Sequence, residues 1–135
     1  VALSIIAALT ALLTDAPDLQ AAIGGAPYAV YPTAVWHLPN DVGAPALALA
    51  FEGRDSPIDE LSAPETLTLR CWFLANTQWD AHAFRDALRA KLAHQQFVLR
   101  THGIMVDYIA CTAWHVGIAP ETGRPQAYAA FSIVA

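Results

Sequence analysis

The sequence predicts an α+β sandwich: a mainly antiparallel sheet of about four to five strands with two or three helices packed on one side. Three observations point there. Residues 46–52 (ALALAFE) and 65–74 (ETLTLRCWFL) alternate apolar side chains with period two, the mark of strands with one buried face. Residues 77–92 carry a T-x-x-D start and an apolar stripe at helical spacing. Two more extended segments, 104–116 and 126–134, close the chain around a Gly/Pro-rich turn. The order reads α-(α)-β-β-α-β-β, two hairpins separated by a helix. The 135 residues contain no internal repeat and suit one domain, 1–135.

Residues 2–14 read as a helix, with Ile6, Leu9 and Leu13 on one stripe and Ile5 and Leu12 widening it. Asp15 is placed to cap a short second helix, Pro17 suits its first turn, and Gly24 or Gly25 ends it. A short extended piece, APYAVYP, is bounded by Pro27 and Pro32. The 33–45 stretch, TAVWHLPNDVGAP, is an excursion with turn chemistry at Pro39, Asn40 and Gly43. In the strand at 46–52, Leu47, Leu49 and Phe51 share a face. The Pro-containing segment 53–64 is an exposed loop joining antiparallel strands. In the strand at 65–74, Leu67, Leu69, Cys71 and Phe73 point one way, and Thr66, Thr68, Arg70 and Trp72 the other.

The following helix buries Phe84, Leu88 and Leu92, with Trp79 off the centre of its stripe. Arg89, Lys91 and His94 gather at its negative end. FVLR, 97–100, reads as a short strand before a turn at 101–103. The 104–116 strand is mixed on both faces, which calls for a bulge or for two covered faces. Residues 117–125 are a hairpin connection with Gly123 available for positive φ.

Hydrophobic residues make up 56% and charged residues 14% of the chain, against a typical charged share of about 25%. So few charges suggest that other subunits cover part of the surface. The net charge of −5 and the absence of a Lys/Arg cluster argue against a grip on nucleic acid by phosphate neutralisation. They leave room for a protein past which DNA slides. Cys71 and Cys111 lie in strand interiors and read as buried thiols, not a disulfide. The apolar start, VALSIIAALTALL, is too short for a membrane span and lacks signal-peptide flanks, so cytoplasmic synthesis is expected.

Chemistry is sparse. The five histidines, His37, His82, His94, His102 and His115, show no metal-ligand spacing. Cys111 and His115, four apart in one strand, are expected on the same face at roughly 13 Å. No G-x-S-x-G occurs, and the loop acids Asp55, Asp59 and Glu60 read as solvated. No catalytic residue, metal ligand or cofactor site is assigned. A Cys–His pair of Cys71 or Cys111 with His115 stays open, as does a pocket lined by Trp36, His37 and His115. Trp36, Trp72, Trp79 and Trp114, with Arg70, fit an interface, where Trp and Arg are enriched.

With these segments in this order, the chain resembles the tail-completion, or tail-terminator, proteins of long-tailed bacteriophages and similar ring proteins of the neck. The likeness covers most of the chain. It runs through the apolar opening helix and DAPDLQAAIGG, YAVYP, ALALAFE with the variable loop after it, TLTLRCWF, DAHAFRDALRAKL and the hairpin PETGRPQAYAAFSIV. The 33–45 excursion has no counterpart in it.

The resemblance implies a non-enzymatic virion protein of the tail or neck, made in the host cytoplasm. It implies a homo-oligomeric ring, usually a hexamer, seated on the tail-tube protein and docking the head connector. Phage DNA would pass through without sequence-specific binding, and no membrane is involved. The candidate subunit or tube interface comprises Arg70, Trp72, Trp36, His37, Asp55, Asp59, Glu60 and Arg124. The double change Arg70→Ala with Trp72→Ala is expected to impair assembly more than folding. The alternatives are a small α+β ligand-binding or enzymatic domain, a head–tail neck adaptor of the same broad family, and a dimeric module pairing through the 65–74 strand.

Overall fold

The computed structural model describes residues 2–39, 42–54, 66–119 and 123–134. Within them the order is α1 (Ala2–Leu13), α2 (Pro17–Ala22), β1 (Ala29–Tyr31), a single 3-10 turn (Val35–His37), β2 (Ala46–Arg54), β3 (Thr66–Leu74), α3 (Gln78–Leu92), α4 (Gln96–Thr101), β4 (Tyr108–Ile118) and β5 (Pro125–Val134). The strands form one sheet in the order β1-β2-β3-β5-β4. β1 runs parallel to β2, and every other pair is antiparallel. The α+β class and the mainly antiparallel sheet are as the sequence predicts. The parallel pair arises because the 32–45 excursion carries the chain back before β2 begins, the crossover that a parallel pair requires.

One face of the sheet, the inner face, builds the main core. Leu47 and Leu49 of β2, Leu67, Leu69, Cys71 and Phe73 of β3, and Ala129, Phe131 and Ile133 of β5 are buried against residues from all four helices. The α3 stripe of Ala81, Phe84, Leu88 and Leu92 lies on it. Phe84 stacks on Phe73 with centroids 3.7 Å apart and planes 2° from parallel. Tyr28 meets Phe84 edge-on at 5.3 Å. The start of α3 is the capping arrangement read from T-x-x-D: the Asp80 N–H donates to Thr77 Oγ1 at 3.1 Å.

Several local expectations change. The buried stripe of α1 is Ile5, Leu9 and Leu13, while Ile6 and Leu12 are half-buried flanks. The row that faces the sheet is thus the one through Ile5, Leu9 and Leu13, four apart, and Ile6 stands at its margin. Asp15 does not cap α2. It takes a left-handed φ of 53° to end α1, and Ala16 stands at the N-cap without a side-chain bond. Tyr28 supplies what a cap would: the Ala16 N–H donates to its hydroxyl at 3.3 Å, and that hydroxyl donates to the Leu13 carbonyl. Gly24 and Gly25 (φ 74° and 81°) close α2, with the Gly25 N–H on the Gln20 carbonyl.

FVLR is helical, as part of α4, and not a strand. Its apolar residues do not alternate against a sheet; Leu99 alone turns inward while Phe97 and Val98 face out. Arg100 fastens the turn beyond it, donating from Nε to the Val106 carbonyl and pairing with Asp107. The strand expected at 104–116 therefore begins at Tyr108, although Ile104 and Val106 are buried. β2 runs on through Gly53 and Arg54, both expected in the loop. The anticipated bulge is present in β4, between Cys111 and Ala113.

A candidate interaction surface on the outer sheet face

The outer face carries the alternate residues of the same strands. On β2 these are Ala46, Ala48, Ala50 and Glu52. On β3 they are Thr66, Thr68, Arg70, Trp72 and Leu74. On β5 they include Tyr128 and Ala130, paired with Trp72 and Arg70. The small side chains at 46 and 48 let main chain approach closely, and the 33–45 excursion does so. Ala34, Val35 and Leu38 pack on Ala48 and Trp72, and Val42 joins Leu38 on Ala46 and Leu74. Arg124, at the exit of the β4–β5 hairpin, donates to the Val42 carbonyl and ties down the far end of the excursion.

Trp72 is therefore 6% exposed, covered by the chain's own loop. Trp36 lies over it edge-on, with centroids 5.2 Å apart, and is itself 62% exposed. Tyr128 flanks Trp72 at 5.6 Å, and His115 flanks Tyr128 at 5.2 Å. The result is a row of rings, Trp36–Trp72–Tyr128–His115, running from the excursion to the β4 edge. His37 is exposed beside Trp36, with ring centroids 6.1 Å apart. Beyond the row no described residue covers the face. Arg70, whose side chain is 43% exposed, pairs there with Glu52 at 3.3 Å.

The structure thus groups Trp36, His37, Trp72 and Arg70 on one face and brings Arg124 to its margin. Trp72 and Arg124 act within the chain, one buried and one hydrogen-bonded to Val42. Asp55, Asp59 and Glu60 lie outside the described residues. Tyr128 and the Ala46–Ala48 pair were not read as parts of this surface. The signal for them was the alternation of Ala with Leu in ALALAFE, which marks a face something approaches closely.

The same geometry bears on thiol chemistry. Cys111 pairs with Phe131 on the inner face, whereas His115 pairs with Tyr128 on the outer one. The bulge inserts one residue between them and so reverses the expected same-face placement. Cys71 is also on the inner face, buried beneath α3, so the sheet stands between either thiol and His115. Burial pushes the Cys71 thiol far above the usual range, with the neighbouring Cys111 adding to it. Burial likewise raises Cys111, against the opposing pull of a backbone hydrogen bond at Ala113 and of the Arg89 charge. Neither is a poised nucleophile. Among the described residues, no three His, Cys, Asp or Glu side chains gather to hold an ion, and no helix is long and apolar enough to cross a membrane.

No family model and no curated protein matches the sequence. Among solved structures 14 chains match. One is a chain of the structure described as "Virion of native gene transfer agent (GTA) particle", with a TM-score of 0.67 at 14% identity. The match covers 96% of this chain and 92% of that one, so the two share a fold from end to end.

Proposed function

We propose that this protein is a structural component of a phage-like virion, a tail terminator. In this reading it forms a ring, a hexamer, on the last tail-tube ring, stops tube growth and offers a docking surface to the head connector. DNA leaving the head passes through the lumen. The observation that carries the reading is the full-length fold shared with a chain of a gene transfer agent virion. The resemblance of the ordered sequence segments to tail-completion proteins agrees with it.

Physical features support the same role. A net charge of −5 repels DNA phosphates, so a lumen of this charge passes DNA without holding it. A head-to-tail ring needs two different patches on each subunit. The outer face with Trp36, His37 and Arg70 offers one of them. The protein acts as a subunit and not as an enzyme, and its place is the neck of the particle.

The test is localisation. Virions carrying a tagged copy, imaged by cryo-electron microscopy, are expected to show the protein as one ring between tube and connector. A protein missing from virions, or spread along the tube, overturns the proposal. Particles made without it are expected to have tails of uncontrolled length or tails that fail to join heads.

A further inference from the structure

The sheet has two edges, and they differ. β1 presents three residues, bounded by Pro27 and Pro32. β4 presents eleven. Natural sheets protect long edges with charge, proline, bulges or a covering segment. Residues 108–118 contain no Lys, Arg, Asp, Glu or Pro. The bulge between Cys111 and Ala113 divides the strand into two runs. The first run is covered: His94, held at φ 57°, donates its N–H to the Ile109 carbonyl. Over 113–118, no described main-chain group outside β5 and the hairpin reaches the strand, and the Cys111 thiol alone touches the Ala113 carbonyl, at 3.6 Å.

That open run is flanked by apolar side chains. Trp114 is 45% exposed on the helix side, under the Arg89 guanidinium at 4.3 Å. Ile118 is 52% exposed at the end of the run. On the other side, His115 continues the ring row from Tyr128. An unpaired backbone edge takes an extended segment and nothing else in protein chemistry saturates it so fully. The occupant is also constrained by charge. Copies of a chain with net charge −5 repel one another except where the meeting surface carries no negative charge, and the 113–118 edge, uncharged itself and flanked by the Arg89 guanidinium, is such a surface.

We propose that residues 113–118 of β4 accept an extended segment from a second copy of this chain, continuing the sheet across the subunit boundary. The proposal deepens the ring reading and rests on it for its biological setting, but the two fail separately. The experiment is hydrogen exchange by mass spectrometry on dilute and concentrated protein, with native mass spectrometry for stoichiometry. On assembly, the outward amides of 113–118 are expected to slow by about 100-fold or more, while those of 108–111 change little.

Assembly that leaves 113–118 at its dilute rate overturns the proposal and leaves the ring reading standing. A closed dimer with 113–118 protected upholds the proposal and overturns the ring. A chain still monomeric at millimolar concentration also overturns the proposal, because an open edge needs no tail tube to find a partner. The variant Ala113→Lys with Ile118→Lys, both at exposed positions, is expected to keep its melting transition and weaken assembly at least about tenfold. Undiminished assembly of that variant would likewise reject edge pairing.

Discussion

Single residues show how this chain substitutes one polar device for another. Tyr28 occupies the joint between α1 and α2, where its hydroxyl serves both the Leu13 carbonyl and the Ala16 N–H. Tyr28→Phe leaves both groups without that partner in a buried site and is expected to cost about 1–3 kcal/mol in denaturant unfolding. Burial raises the Tyr28 pKa above 10, opposed by the Ala16 bond and reinforced by Asp18 and Asp15. The folded state thus holds this proton more tightly than the unfolded chain does. Its contribution is complete below about pH 10, the unfolded value, and is lost as pH rises through the folded one. Wild type is expected to lose stability more steeply than Tyr28→Phe above that pH.

The thiols give a second check at this scale. With both cysteines raised by burial, a disulfide reagent at pH 7 is expected to label neither quickly in the folded protein and both once it is unfolded. Rapid labelling of native protein would revive a thiol-based activity.

At the scale of elements, what matters is what covers each face. Trp72 and Trp36 touch, yet they belong to different parts of the energy balance. Trp72→Ala empties a buried site between the excursion and the sheet and is expected to destabilise by about 3–5 kcal/mol. Trp36→Ala removes an exposed ring and is expected to cost about 1 kcal/mol or less, with any larger effect appearing in assembly. The paired change Arg70→Ala with Trp72→Ala therefore acts mainly on folding, through Trp72. Arg70→Ala with Trp36→Ala is the cleaner probe of this surface. Equal melting losses for Trp36→Ala and Trp72→Ala would contradict the packing described. For α3, Thr77→Ala removes the bond to the Asp80 N–H and is expected to cost about 1 kcal/mol.

The whole molecule, among the described residues, is a sheet with one face packed by helices, Trp114 half-exposed at its β4 margin, and the other covered over part of its width. The excursion seals the Ala46, Ala48 and Trp72 end. No described residue covers the end with Glu52, Thr66, Thr68 and Arg70, which carries an ion pair. Exposed pairs of this kind contribute about 0–1 kcal/mol, so this one is a weak lock on the fold and a natural participant in a contact. A chain of this charge is expected to produce no shift of duplex DNA in gel mobility at physiological salt. Tight, steeply salt-dependent binding would contradict the proposal of a lumen that lets DNA pass.

Taken by itself, the sequence determined the elements whose cause is local. Period-two alternation in 46–52 and 66–74 set which side chains share the core face, because strand geometry sends neighbours to opposite sides. Thr77 and Asp80 set the start of α3, because a cap is a contact across one turn. The acidic balance and the scarcity of charge were legible as limits on partners. Tertiary structure decided what depends on distant residues. FVLR became helical because its surroundings bury Leu99 alone and no strand waits beside it. The bulge moved His115 to the face opposite Cys111, a one-residue event that composition does not encode. Whether Trp72 met solvent, a partner or its own chain was settled by Ala34, Val35 and Leu38, some 35 positions earlier in the sequence. Such contacts are set by the packing of whole elements, whose energy no short window of sequence contains.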